Sequence, residues 1–154
     1  MMRSVARMIA SFGGCGFAPR APGTVGSLAA LLVGIPLLQH AAWMGIAIAL
    51  CCVIGYWATA TVSGGEDHGW IVIDEVAGMW LSMWPLAPLS LFSLRWADIF
   101  WLVLAFALFR LFDITKPGPV GWFDRRHDAV GIMGDDIVAG MGAGLIVMAL
   151  HAIA

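Results

Sequence analysis

Residues 71–80, IVIDEVAGMW, decide the fold, because they place two adjacent carboxylates at the start of an apolar segment. Charged groups in or at the ends of membrane helices each cost about 3 kcal/mol, and they usually face a polar interior where they bind ions or do chemistry. Acidic residues also suit the first turn of any helix, so Asp74 and Glu75 alone fit a simple helix start equally well. The rest of the chain distinguishes the two interpretations.

The composition is that of a membrane protein. The 154 residues are 61% hydrophobic and 12% charged, and the mean hydropathy is +0.91. Water-soluble domains carry about 25% charged residues. No stripe of basic residues indicates a nucleic-acid partner, and the net charge of −2 says little about other partners.

Apolar runs predict an all-α, polytopic membrane helix bundle with about five spans, formed by residues 1–154 as a single membrane-embedded domain. About 20 apolar residues are needed to cross a bilayer, so the run at 42–63 is long enough, whereas 26–38 fits a short crossing or a re-entrant hairpin. Pro117 is expected to stop the fourth span. The five expected spans are residues 26–38, 42–63, 72–86, 97–112 and 137–154.

The charges predict which side of the membrane carries the chemistry. If the N-terminus is cytoplasmic and five spans alternate, all but one of the eight basic residues lie on the cytoplasmic side, Arg95 being the exception. This distribution follows the positive-inside rule. All acidic residues except Asp98 fall on the same side. Any active site is therefore expected to face the cytoplasm.

Helical spacing indicates where two of the carboxylates point. Asp74 shares a helix face with Gly78, and Asp136 shares one with Gly140 and Gly144. Small residues let membrane helices approach closely, although glycines are common enough in such helices that one GxxxG spacing is weak on its own. We expect Asp74 and Asp136 to point into the bundle and not at lipid.

Three polar segments, residues 67–75, 110–116 and 124–136, are expected to meet at one membrane face. Carboxylates crowded together repel one another unless a cation lies among them, and oxygen ligands suit Mg²⁺. Arg110, Lys116 and Arg125 are suited to phosphate oxygens. The combination predicts phosphoryl chemistry, while simpler explanations stay open: Arg110 and Asp113 at i, i+3 fit an ion pair within one helix, and Arg125 fits a lipid headgroup contact.

Five segments resemble phosphatidylglycerophosphatase A in the same order along the chain. They are PGTVGSLAA at 22–30, DHGWIVIDEVAGMW at 67–80, FRLFDITKP at 109–117, WFDR at 122–125 and GIMGDDIVAG at 131–140. The resemblance implies a Mg²⁺-dependent, multi-pass phosphatase of the bacterial inner membrane that converts phosphatidylglycerophosphate to phosphatidylglycerol. The chain departs from the family's Gly-Gly-x-Gly run at residues 128–131, where only Gly131 remains.

The resemblance also implies a set of functional residues. In our hypothesis four carboxylates hold one or two Mg²⁺ ions, Arg110 and Lys116 clamp the phosphate, and phosphorus is attacked by water or, less favoured, by Asp113 as a covalent nucleophile. Thr24 and Ser27 either contact substrate or cap the first span. The metal ligands are predicted to be Asp74, Glu75, Asp135 and Asp136, the catalytic residues Asp113, Lys116, Arg110 and Asp67, and the substrate-binding residues Arg125, Thr24 and Ser27.

Two other functions are consistent with buried acidic residues in a small membrane protein. A carboxylate-based ion transporter would need a polar path across the bilayer, whereas the charged residues gather at one face. A phosphotransferase acting on CDP-linked lipids would be expected to carry an Asp-x2-Asp-Gly-x2-Ala-Arg pattern, which the chain lacks. The expected partners are a phospholipid substrate and the bilayer, and the oligomeric state is open.

Overall fold

The computed structural model describes residues 1–66 and 68–154, with the backbone alone for Leu91, and most of these residues are helical. Seven α-helices and three short 3-10 helices account for most of these residues, and no strand occurs among them. The 3-10 helices are Cys15–Phe17, Trp84–Leu86 and Leu91–Ser93. The α-helices are α1 (Met2–Ala10), α2 (Pro22–Leu37), α3 (Ala41–Val62), α4 (Ile73–Met83), α5 (Trp96–Thr115), α6 (Pro119–Asp124) and α7 (Ala129–His151).

Helix α4 is the core of the bundle. It packs against α2, α3, α5 and α7, most extensively against α7, and nearly all of its side chains are buried. Its 11 residues give a length of about 16 Å, roughly half of the apolar thickness of a bilayer. The segment that sequence predicts as the third span is therefore a short helix enclosed by longer ones.

Glycines bring α4 and α7 into backbone contact. A Cβ atom added to Gly140 would overlap the Gly78 carbonyl, and one added to Gly144 would lie 2.7 Å from the Leu81 carbonyl oxygen. Small residues allow this approach, as the spacing predicts. Asp74 and Asp136 each lie one helical turn before these contacts, so the crossing brings their carboxylates together.

Two indole groups fix α4 against the preceding helices. Trp80 Nε1 donates a hydrogen bond to the Ala30 carbonyl at 2.8 Å, and Trp84 Nε1 donates one to the Ala41 carbonyl at 2.9 Å. Buried indole N–H groups generally require such a partner. The first bond ties α4 to α2, and the second ties the 3-10 helix that follows α4 to the start of α3.

Two helices are long and apolar enough to cross a membrane by length and composition, α3 and α7, and α2 is a shorter apolar helix of 16 residues. The five segments that the sequence predicts as spans overlap α2, α3, α4, α5 and α7, and whether all five cross a membrane stays a prediction. The outward faces of the longer helices carry large exposed apolar side chains. Examples are Leu28 and Leu32 on α2, Trp43, Leu50 and Val53 on α3, Phe100 and Val103 on α5, and Met141 and Leu145 on α7.

The starts of two helices differ from prediction. Helix α7 begins at Ala129, not at residue 137, because the Asp128 side chain caps it by accepting a 2.8 Å hydrogen bond from Gly131 N. The Asp135 and Asp136 pair is therefore inside the helix and does not precede it. Helix α2 begins at Pro22, a residue suited to the first helical position.

Candidate active site

Three carboxylates form a compact cluster where α4 meets α7. Asp74, Glu75 and Asp136, called the acid triad below, have carboxylate oxygens that lie within 4.8 Å of one another. Asp74 and Asp136 are 7% and 3% exposed. Asp74 Oδ1 also accepts a 3.0 Å hydrogen bond from Glu75 N, which fixes the first turn of α4.

The acid triad has the properties of a site for a divalent cation. Glu75 Oε2 and Asp136 Oδ1 are buried and accept no hydrogen bond from the described residues. Buried polar atoms almost always have a partner, and buried anions are costly without a compensating charge. Three oxygen donors of this kind suit a hard cation such as Mg²⁺ or Ca²⁺. The residues present therefore fit a bound metal ion.

A network of ion pairs lies beside the acid triad. Arg110 Nη1 donates to Asp113 Oδ2 at 2.5 Å, and Lys116 Nζ donates to Asp113 Oδ1 at 3.1 Å. Lys116 Nζ also donates to Asp135 Oδ2 at 2.5 Å and lies 3.5 Å from Asp124. The ion pair between Arg110 and Asp113, which the sequence offered as a simpler explanation than phosphate binding, is present. It belongs to a network of ion pairs that joins α5, α6 and α7.

Lys116 is held as a fixed cation at the end of α5. Its backbone adopts a left-handed conformation, with φ of 48°, which costs a residue other than glycine about 1–2 kcal/mol. Burial opposes the charge on the ammonium, but the hydrogen bond and charge of Asp135 and the charge of Asp113 outweigh it and raise the pKa of Lys116. Lys116 therefore keeps its positive charge at neutral pH.

The first turn of α2 lies between the acid triad and Arg110. Arg110 donates to Ser27 Oγ and to Thr24 Oγ1, each at 3.4 Å, and its buried Nε has no partner among the described residues. A Cβ added to Gly23 would overlap Glu75 Oε1 and lie 3.3 Å from Arg110 Nη1. A side chain at position 23 would therefore have to displace the Glu75 carboxylate.

Thr24 and Ser27 do not cap α2, which was one of the two roles that the sequence left open for them, and their contact with substrate stays a prediction. Residue Ala21 is the N-cap of α2, no side chain caps this helix, and both hydroxyls lie inside it. Ser27 Oγ donates to the Gly23 carbonyl at 2.7 Å and accepts from Arg110. The two hydroxyls orient the guanidinium.

The structure separates the two adjacent aspartates of α7. Asp136 belongs to the acid triad, whereas Asp135 Oδ2 accepts from Lys116 and Asp135 Oδ1 accepts from Asp136 N at 2.8 Å. The role of Asp135 as a metal ligand therefore stays a prediction.

Two other predicted residues are not part of this network. Arg125 is exposed, and it forms no ion pair with any residue that the structure describes. The predicted catalytic residue Asp67 lies outside the described residues.

Sequence reasoning missed three contributions to this region. Asp124 lies beside Lys116, Gly23 leaves space for Glu75, and Asp128 starts α7. Asp128 also accepts a 2.8 Å hydrogen bond from Arg126, which lowers its pKa. The Asp at the start of an apolar run was a capping signal in the sequence, whereas the other two contacts depend on the fold.

Comparisons with known proteins point to one group of lipid enzymes. The family model described as phosphatidylglycerophosphatase A matches residues 8–151. Relatives of that name from Escherichia coli K12 and Haemophilus influenzae Rd are 39% and 38% identical over 145 and 147 residues. Each alignment covers 90% of this chain, and it covers 79% and 83% of the respective relative. A third relative, from Bacteroides thetaiotaomicron and provisionally named phosphatidylinositol-3-phosphatase, is 37% identical over 137 residues, which are 83% of this chain and 82% of that protein. No solved structure matches the chain.

Proposed function

The chain belongs to the phosphatidylglycerophosphatase A family, and on this basis we propose that it hydrolyses phosphatidylglycerophosphate to phosphatidylglycerol and phosphate. This reaction is a step of phospholipid synthesis. The observation that carries the proposal is the placement of the acid triad beside Arg110 and Lys116, within one end of a helix bundle. Anionic oxygen ligands next to fixed cations are the arrangement that phosphoryl transfer requires.

The proposed cofactor is Mg²⁺, held by Asp74, Glu75 and Asp136. The two unpartnered carboxylate oxygens, Glu75 Oε2 and Asp136 Oδ1, support this assignment. Asp135 stays a further candidate ligand, and it would bind the ion by giving up its hydrogen bond from Lys116. When bound, the ion would supply positive charge that stabilises the charge developing on the phosphoryl group. Asp74 and Asp136 are buried and Glu75 is half-buried, which restricts the movement of the three carboxylates before substrate arrives.

Arg110 and Lys116 are proposed to bind the phosphate of the substrate. A guanidinium presents a planar fork to phosphate oxygens, and an ammonium acts as a point charge. Thr24 and Ser27 hold the Arg110 fork from one side, and Asp113 holds it from the other. The exposed Arg125 is proposed to contact the lipid headgroup.

Direct attack by water is the proposed chemical step. Both oxygens of Asp113 accept hydrogen bonds from cations, which fixes the carboxylate and reduces its nucleophilicity. This supports a positioning role for Asp113 rather than a phospho-aspartate. Rapid acid quenching during turnover should therefore trap no phospho-enzyme, and recovery of labelled phosphate on Asp113 would contradict this step.

We also propose a multi-pass location in the bacterial inner membrane, with about five spans and the site facing the cytoplasm. The apolar outward faces of α2, α3, α5 and α7 support this location, as does the distribution of basic residues. A cysteine at exposed position His127 should react with an impermeant thiol reagent only in inverted vesicles. One at exposed Ser93 should react only in spheroplasts, and the reverse pattern would contradict the orientation.

Phosphate release by the purified protein tests the proposed activity. With phosphatidylglycerophosphate and Mg²⁺, Asp74→Asn should lower kcat/KM by at least about 100-fold, because even residues that only support metal ligands contribute 10–100-fold. Asp128→Asn is the matched control, since asparagine caps a helix as well as aspartate. Activity that survives Asp74→Asn would contradict the assignment, and phosphatidylinositol 3-phosphate offered in parallel measures headgroup selectivity.

A further inference from the structure

Helix α1 carries three distinct faces. One face is buried and contains Ala6 and Ala10, which pack towards α3. A second, polar face contains Arg3 and Arg7, four residues apart and exposed. The third face is apolar and exposed, which is the pattern of a helix lying in the surface of a bilayer. Its side chains are Met2, Val5 and Met8.

The arginine face adjoins a platform of stacked rings. The Arg7 guanidinium lies 5.0 Å from the Phe17 ring centroid and 5.3 Å from that of Trp70. Phe17 and Trp70 are stacked with centroids 5.7 Å apart, and His68 stacks on Trp70 at 5.9 Å. Tryptophan favours the membrane interface, where its ring is apolar and its N–H is solvated.

A groove runs between α1 and this platform. It has a volume of about 410 Å³. Helix α1 is docked on the bundle, because Val72 N donates to the Ala10 carbonyl at 2.9 Å and Gly16 lies directly against the Trp70 carbonyl. The groove is therefore part of the folded body. Its lining residues are Arg3, Ser4, Arg7, Val62 and Trp70.

The groove carries the positive charge of Arg3 and Arg7. Residues 1–65 contain three arginines, at positions 3, 7 and 20, and the first acidic residues of the chain are Glu66 and Asp67. Among the described residues, neither Arg3 nor Arg7 forms an ion pair. The charge therefore favours an anionic partner, and the apolar face beside it favours one that is part of a lipid surface.

We propose that α1 and the Phe17–Trp70 platform form a binding site for the phosphate-diester headgroup of an anionic phospholipid in the cytoplasmic leaflet. The arginines contact the phosphate, the rings lie at the interface, and the apolar face of α1 enters the acyl region. The site is distinct from the acid triad and the cations beside it. It rests on the proposed membrane location, and Arg3 and Arg7 precede residue 8, where the family match begins.

Native mass spectrometry of the full chain in detergent tests this site. The parent is the unsubstituted chain, because neither phosphatidylglycerol nor phosphatidylcholine carries the terminal phosphate that the proposed reaction removes, and lipid retention is therefore measured independently of that reaction. Phosphatidylglycerol should be retained in preference to phosphatidylcholine. The double variant Arg3→Gln/Arg7→Gln should weaken retention about fivefold for each arginine. The control Arg95→Gln/Arg126→Gln removes the same charge from exposed ion pairs and should bind as the parent does.

Other outcomes would overturn the proposal. Equal retention of both lipids would exclude recognition of an anionic headgroup. Unchanged phosphatidylglycerol binding in the Arg3 and Arg7 variant would place the lipid elsewhere. Competition by glycerol phosphate at equal concentration would indicate a site for soluble phosphates. A second variant, Trp70→Leu, should also weaken retention, with circular dichroism confirming that both variants keep the parent's helix content.

Discussion

Replacing Gly140 by alanine tests whether the contact between α4 and α7 positions the acid triad. The added Cβ would overlap the Gly78 carbonyl, and comfortable contact begins at about 3.5 Å, so α7 has to move by roughly 1 Å. Overpacking of this kind costs about 1–3 kcal/mol, which lowers the Tm of a chain of this length by about 2–12 °C. If the same free energy is lost in positioning Asp136 against Asp74, kcat/KM falls about 5- to 150-fold.

Gly142→Ala is the matched control on the same helix. Its Cβ would meet only the Phe112 ring, at 3.3 Å, and alanine is a better helix former than glycine by about 1 kcal/mol. Thermal unfolding in detergent and phosphate release from phosphatidylglycerophosphate should both stay near the parent values for this variant. If Gly140→Ala and Gly142→Ala have the same Tm and the same kcat/KM, the close crossing does not position the acid triad.

The remaining predictions concern the surroundings of the acid triad. Gly23→Ala should displace the Glu75 carboxylate and raise the Mg²⁺ concentration for half-maximal activity by about tenfold, since supporting contacts contribute 10–100-fold to metal affinity; an unchanged Mg²⁺ titration would contradict this. Lys116→Gln should leave Asp135 without its cation and lower kcat by about 100-fold or more. A kcat close to that of the parent would contradict the proposed role of Lys116. Asp128→Ala should cost about 1 kcal/mol of stability by thermal unfolding while Asp128→Asn does not, and equal losses would argue against the cap of α7.

The sequence predicted the helical segments better than their arrangement. Hydropathy located all five apolar segments, and the spacing of Gly140 and Gly144 identified the face that packs on α4. Hydropathy cannot distinguish a buried core helix from a membrane span, so it did not predict that α4 is enclosed by α2, α3, α5 and α7. The start of α7 was misplaced because Asp135 and Asp136 resembled a polar boundary, whereas Asp135 lies inside the helix with Lys116 as its partner across the bundle, and Asp136 lies there within the acid triad.

The composition of the candidate site was predictable, but the division of its carboxylates was not. Adjacent residues on a helix point about 100° apart, so Asp135 and Asp136 must face different neighbours. Which of them joins the acid triad depends on the rotation of α7, and this is set by its contact with α4. The predicted ligand Glu75 does lie in the acid triad, because the missing side chain at Gly23 leaves room for its carboxylate beside Asp136.

Anomalous scattering from crystals grown with Mn²⁺ in place of Mg²⁺ tests the central claim most directly. A peak bounded by the carboxylates of Asp74, Glu75 and Asp136 is predicted, and it should disappear in Asp136→Asn while persisting in Asp128→Asn. A peak at Asp113 and Asp135 instead, or no ordered ion at concentrations that support phosphate release, would contradict the assignment of the acid triad as the metal site.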